Sequence, residues 1–151
     1  MGVADFLSGS KGFTELDQND IQALNNVCQE ESFKGGDTIF PEEGPGDKMY
    51  IIKSGSVKIT KMVKDQENTI AVINQGEFFG EMALLDGLPR SAAAKAAADT
   101  TTLTITRDNY MSLRQSSPQT ALKIMDILVK VLSNRLRQAN KNLEVISFWI
   151  E

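Results

Sequence analysis

The 151-residue chain contains no histidine. It therefore lacks the commonest metal ligand and the commonest general base near neutral pH, and histidine-dependent chemistry is excluded. A single cysteine, Cys28, cannot form an internal disulfide. Its place in an apolar helical pattern reads as a small buried hydrophobe, and such sparing use of cysteine fits a cytosolic, reducing compartment. Long apolar runs are missing too, so no membrane-spanning helix is expected. Residues 1–13 lack the basic stretch and apolar core of a secretory signal, and Phe6 stands where a myristoylation motif wants serine or threonine. They read as a loose leader. Positive charge is also in deficit: 16 Lys and Arg face 20 Asp and Glu, a net charge of -4. That balance opposes direct nucleic-acid binding, which needs many cations to neutralise phosphates.

What is present is an ordinary globular balance, 41% hydrophobic and 24% charged, in a length that suits one domain. The pattern divides the domain into a leader and N-terminal helix over 1–30, strands over 31–106 and C-terminal helices over 107–151. Leu16, Ile21, Leu24 and Cys28 recur at helical intervals around Asp17, a candidate N-cap. From Phe33 onward, β-branched and aromatic segments (Thr38–Phe40, Met49–Ile52, Val57–Thr60, Thr69–Ile73) alternate with the glycine-bearing turns Gly44–Asp47, Ser54–Gly55 and Asn74–Gly76. Hairpin-like connections and largely antiparallel sheets follow. Ser91–Ala98 conflicts with this picture, because its alanines favour helix by intrinsic propensity.

Helical periodicity returns after Arg107, with Asp108 as candidate cap, and restarts at Ser117-Pro118, a serine followed by proline at a first helical position. Met125, Val129, Leu132, Leu136, Ala139, Leu143 and Ile146 then recur at alternating spacings of four and three, a heptad seam. A second stripe, Ile124, Ile127, Leu128 and Val131, covers an adjoining face. Two apolar faces imply two burials: the second stripe on the β-domain and the seam on a partner helix, the same helix of another copy. The alternative is one wide intramolecular face.

The segment 79–92, Phe-Gly-Glu-Met-Ala-Leu-Leu-Asp-Gly-Leu-Pro-Arg-Ser-Ala, carries the chemistry. Gly80 lets backbone approach a ligand closely, and a short helix starting there would aim free amides at an anion. Arg90 offers a planar fork of donors that suits the oxygens of a cyclic phosphodiester, and Ser91 adds a hydroxyl beside it. Glu81 would repel a phosphate but accepts well from a ribose 2′-hydroxyl, so the pair can read two parts of one nucleotide. Taken alone, Glu81 and Arg90 read better as an ordinary surface ion pair flanking a loop.

In its context the segment resembles the phosphate-binding cassette of the cyclic-nucleotide-binding domain family. The family pattern is Phe-Gly-Glu, a hydrophobic residue, Ala-Leu, a short turn, then Pro-Arg, a small residue and Ala. The stretch from Phe33 to Gly55 is similar to the family's first strands and turns, and the likeness spans roughly Phe13 to Leu136. The resemblance implies a mainly β fold with flanking helices: an eight-stranded jelly-roll-like β-barrel, an N-terminal helix and a long C-terminal lid helix, with Ser91–Ala98 turned into strand. It implies backbone contacts to ligand from Gly80, Met82 and Ala83, the ribose on Glu81, the phosphate on Arg90, Ser91 and the Ala92 amide, and Ile59, Ile70 and Ala71 walling the base. Arg135-Leu136 matches an Arg-Leu pair of the family's lid helix, which makes Arg135 and Asn140 candidate base contacts, or else a solvated polar face. Phe148 and Trp149 could cap a base or pack on a neighbour.

The expected activity is regulatory binding of cAMP in preference to cGMP, since alanine or serine after the cassette arginine is more usual in cAMP-type pockets. No metal and no catalytic residue is expected. The catabolite activator family continues into a helix-turn-helix domain, whereas this sequence ends at Glu151, so a separate effector protein or a larger assembly would carry the output. Two other classes compete: a degenerate domain used only for protein association, which the intact cassette argues against, and a barrel enzyme such as a cupin, which the lack of histidine disfavours.

Overall fold

A computed structural model describes residues 15–142. The leader and the positions Leu143, Ile146, Phe148 and Trp149 lie outside them. The first helix, α1 (Gln18–Val27), starts where the spacing predicts. Asp17 accepts from the Asp20 amide at 2.9 Å and Asp20 accepts from the Asp17 amide at 3.0 Å, so each carboxylate satisfies a backbone donor of the first turn. Cys28 falls just beyond the helix in extended backbone, which corrects its helical assignment. It still packs half-buried on the apolar core, and burial pushes its thiol up to about 12, the behaviour of a hydrophobe.

Eight strands follow among the described residues: β1 (Gln29–Phe33), β2 (Thr38–Phe40), β3 (Lys48–Ser54), β4 (Ser56–Val63), β5 (Gln66–Asn74), β6 (Phe78–Phe79), β7 (Ala93–Ala96) and β8 (Thr100–Thr106). They form two four-stranded antiparallel sheets, β1-β8-β3-β6 and β2-β7-β4-β5, the jelly-roll arrangement expected. Two details differ from the expectation. Strand structure begins at Gln29, before the boundary at 31, because β1 is an edge strand whose polar side chains hide it from pattern reading while its backbone pairs with β8 from Gln29↔Thr104 to Phe33↔Thr100. Hairpin pairing of consecutive strands occurs only at β4–β5; elsewhere the chain passes from one sheet to the other. That hairpin turns at Lys64-Asp65, both in the left-handed region at φ 52° and 64°. Neither residue is glycine or asparagine, so the turn carries no local signal in the sequence.

Strand β3 explains how one polar-free run serves two cores. Met49 and Ile51 point into a cluster with Ile21, Leu24, Leu103, Ile105, Tyr110, Leu113, Ile124 and Leu128, between the first sheet and the helices. Tyr50 and Ile52 point the opposite way, into a cluster with Phe40, Val57, Ile73, Phe79 and Ala94 between the sheets. The alanines of β7 are strand because β7 lies between β2 and β4, where Ala94 and Ala96 are fully buried; sheet pairing outweighs their intrinsic preference for helix.

Between β6 and β7, helix α2 (Met82–Leu85) is a single turn inside the cassette. Helix α3 (Arg107–Ser116) is capped by the Thr106 hydroxyl, which accepts from the Asn109 amide at 3.0 Å. Asp108, the expected cap, already sits within the first turn. Helix α4 (Pro118–Asn142) restarts after Ser117 as predicted. Its stripe Ile124, Ile127 and Leu128 is buried in the helical core, with Val131 and Met125 packed alongside. Leu122, Val129 and Leu136, seven residues apart, stay exposed. No described helix is long and apolar enough to cross a membrane.

Candidate functional site

Between the second sheet, the cassette and the distal half of α4 lies a cavity of about 500 Å³, within the size range of small-molecule sites. Its floor is aromatic: Phe40 and Phe79 line it, and Phe79 stacks on Tyr50 with ring centres 4.8 Å apart. Strand β6 delivers the chain to Gly80, which takes φ +74°. A side chain there would also press on the Arg90 guanidinium, since an added Cβ would lie 2.9 Å from Nη1. Only glycine meets both demands.

Arg90 is 6% exposed and held as a fork: Nη1 donates to the Gly80 carbonyl at 3.0 Å and Nη2 to the Lys48 carbonyl at 2.6 Å. The guanidinium lies over the Phe40 ring at 4.0 Å, a cation–π contact. Burial lowers its pKa from the ordinary arginine value, and the residue stays charged. Its Nε is buried with no hydrogen-bond partner among the described residues. A buried charged group with donor capacity to spare is suited to an anionic oxygen.

Glu81, 5% exposed, does not pair with Arg90. Its Oε1 accepts from Arg135 Nη1 of α4 at 2.6 Å, while Arg135 Nη2 donates to the Phe78 carbonyl at 2.7 Å. The guanidinium also sits over the Phe78 ring, 5.2 Å from its centre. A cassette carboxylate and a lid-helix cation are thus joined across the cavity. The surface-pair alternative for Glu81 and Arg90 is set aside: both are buried, with different partners.

The cavity gathers the predicted Gly80, Glu81, Met82, Ala83, Arg90, Ser91 and Ala92, the predicted wall Ile59, Ile70 and Ala71, and Arg135. Asn140 is not among its lining residues, and Ala139 takes the place on that face. The Ala83 amide is engaged by the Gly80 carbonyl at 3.2 Å and the Leu84 amide by the Glu81 carbonyl at 3.0 Å, so the single turn of α2 keeps those donors for itself. Pattern reading missed Phe40, Ile73, Leu88 and Pro89 as lining. It offered Leu132, Leu136 and Ala139 to a partner helix or to one wide intramolecular face, and they line the cavity. Their spacing from Arg135 on one helical face was the available signal. Among the described residues no group of three His, Cys, Asp or Glu side chains could hold a metal.

Comparison with known proteins gives a consistent result. A family profile described as the cyclic nucleotide-binding domain matches residues 30–117. The chain is 34% identical over 137 residues to a CRP-like cAMP-activated global transcriptional regulator of Mycobacterium tuberculosis, covering 90% of this chain and 59% of that protein. It is 34% identical over 143 residues to the cyclic AMP receptor protein of Thermus thermophilus, covering 94% and 64%. The chain therefore spans about three fifths of the length of these curated relatives. A crystal structure of a cyclic nucleotide-binding domain from Methylobacillus flagellatus superposes with a TM-score of 0.82 at 26% identity, covering 93% of this chain and 79% of that one.

Proposed function

Because the chain belongs to the cyclic nucleotide-binding domain family, a family of regulatory binding modules and not of enzymes, we propose that it senses cAMP in preference to cGMP and transmits occupancy through α4. The observation that carries this reading is the Glu81–Arg135 bond, which ties the cassette to the lid helix across the cavity at 2.6 Å. In this reading Arg90 and Ser91 take the cyclic phosphate with the Ala92 amide, Glu81 takes the ribose hydroxyl, and Gly80, Met82 and Ala83 approach through backbone. Ile59, Ile70 and Ala71 wall the base, and Arg135 reports to α4. A ribose hydroxyl at Glu81 changes the environment of the carboxylate that Arg135 holds, so the ligand and the helix position share one group. The free energy for any shift equals the ligand's differential affinity for the two helix positions.

Ser91 after the cassette arginine supports cAMP, as do the names of the two relatives that match over 90% and 94% of this chain. The exposed stripe Leu122, Val129 and Leu136 supports a homodimer through α4, with an effector protein as a further partner. A cytosolic setting is consistent with the lone buried thiol. The deciding experiment is calorimetric titration with cAMP and cGMP of protein freed of carried-over nucleotide. Saturable heat with cAMP, at higher affinity than with cGMP, is expected, and Arg90→Ala should weaken it by about a hundredfold or more, as loss of a buried charge-assisted fork requires. Absence of heat with either nucleotide would overturn the reading.

A further inference from the structure

Ser91 stands at the end of a ladder. The β4–β7 pairing runs from Val57↔Ala96 to Thr60↔Ala93 and stops there, so no further rung of strand β4 holds Ser91, although Ser91 lines the cavity. A side chain supplies the missing bond. Lys61, the next residue on β4, donates from Nζ to the Ser91 carbonyl at 2.7 Å. The same ammonium donates to Glu42 Oε2 at 3.1 Å, and the other oxygen of Glu42 accepts from the Met62 amide at 3.3 Å. Hydrogen bonds from Lys61 and from that amide hold the Glu42 carboxyl below its ordinary range.

The loop carrying Glu42 grips the preceding residue as well. The Glu43 amide donates to the Arg90 carbonyl at 2.8 Å, and the Arg90 amide donates to the Gly44 carbonyl at 2.8 Å. Glu43 does this from φ 64°, a conformation that costs a non-glycine residue energy, and a Cβ on Gly46 would collide with the Leu88 carbonyl oxygen. Three polar groups of the cassette backbone, the Arg90 amide, the Arg90 carbonyl and the Ser91 carbonyl, are therefore fixed from outside the cassette. An exposed Lys–Glu pair by itself contributes little. Here the lysine has a second partner beside Glu42, and that partner is the backbone of a residue that lines the cavity.

We propose that Lys61, oriented by Glu42, is a positioning residue for nucleotide recognition: it pins the Ser91 carbonyl so that the Ser91 hydroxyl meets the phosphate. The proposal rests on the nucleotide-binding reading above. It assigns to β4 and the β2–β3 loop a share of phosphate discrimination that neither residue's own contacts would reveal, since Lys61 does not line the cavity. Lys61 acts through Ser91, so its effect exists only while the serine hydroxyl does.

The test is calorimetric titration of the full chain with cAMP and with its two phosphorothioate diastereomers, which replace one or the other exocyclic phosphate oxygen. Lys61→Met should weaken cAMP about five- to tenfold and compress the preference between diastereomers, with Glu42→Gln acting in the same direction and Lys61→Arg restoring most of the loss. In a Ser91→Ala background, Lys61→Met should cost nothing more. Unchanged cAMP affinity and diastereomer preference in Lys61→Met would overturn the proposal, as would fully additive losses in the double variant, which would mean that Lys61 acts by its own charge. If the unsubstituted chain binds no cyclic nucleotide, the underlying reading falls and takes this one with it; if it binds and the variants match it, only the positioning role falls.

Discussion

The two halves of α4 are held in different ways. Its first half is firmly anchored on one face: Ile124 and Leu128 are fully buried, the Tyr110 hydroxyl donates to the Ala121 carbonyl at 3.0 Å, and Asp20 accepts from Thr120 at 2.5 Å and from Lys123 at 2.6 Å. Its second half touches the rest of the domain mainly along the cavity, through Leu132, Leu136, Ala139 and the two hydrogen bonds of Arg135. Apolar burial that excludes solvent fixes one half whatever the cavity holds. The other half depends on one charged side chain whose partner, Glu81, belongs to the site. A helix built this way has an anchored end and a lightly held arm, and the arm is the end that the proposed ligand would move.

The difference is open to direct attack, beginning at the anchored end. Leu128→Ala should cost about 3 kcal/mol of stability, read from denaturant unfolding, because a fully buried leucine leaves a cavity that its neighbours fill only in part. A cost under about 1 kcal/mol would show that the first half is not the anchor.

Asp20→Asn should cost about 2 kcal/mol by breaking a buried hydrogen-bonded group that links α1 to α4. Burial by itself would raise the Asp20 carboxyl, but bonds from Lys123, Thr120 and the Asp17 amide bring it down to about 2 from the ordinary 3.8. A depressed carboxylate stabilises the fold fully above its unfolded value and loses that contribution as pH falls towards the folded one. The stability gap between wild type and Asp20→Asn should therefore be constant above about pH 5 and narrow below about pH 4. A gap that widened with acid would refute the assignment.

Arg135→Met should leave global stability nearly unchanged and speed hydrogen exchange about tenfold over residues 132–141, with residues 120–128 unaffected. Uniform acceleration along the helix would erase the distinction between its halves. The smallest effect is expected at Leu136→Ala, within about 0.5 kcal/mol of wild type, because that side chain is 58% exposed. Its loss should show instead as weaker nucleotide binding in the titration.

Much of the fold was legible because its determinants are local. Asp17 with the apolar spacing of Ile21 and Leu24 announced α1, Ser117-Pro118 announced the break before α4, and the alternating apolar segments announced β2 to β5. What stayed hidden depends on partners distant in the chain. The polar strand β1 exists because β8 pairs with it, and the alanines of β7 are strand because β2 and β4 flank them. In the site, Gly80, Glu81, Arg90 and Ser91 could be singled out as a set from their spacing. Lys61 and Glu42 could not, since nothing in a β-strand lysine or a loop glutamate marks the carbonyl they hold.

The sequence by itself therefore determined the chemical kind of the protein: a histidine-free, two-layered β domain with a cassette of glycine, carboxylate and arginine in fixed order. Only the tertiary structure decided how those groups are paired. Glu81 and Arg90, nine residues apart and of opposite charge, invite pairing with each other. The fold gives Glu81 to Arg135 of α4, 54 residues on, and gives Arg90 to the carbonyls of Gly80 and Lys48. The reason is geometric: a buried charge takes the partner whose backbone or helix the packed sheets bring within about 3 Å, and that distance is set by folding, not by separation along the chain.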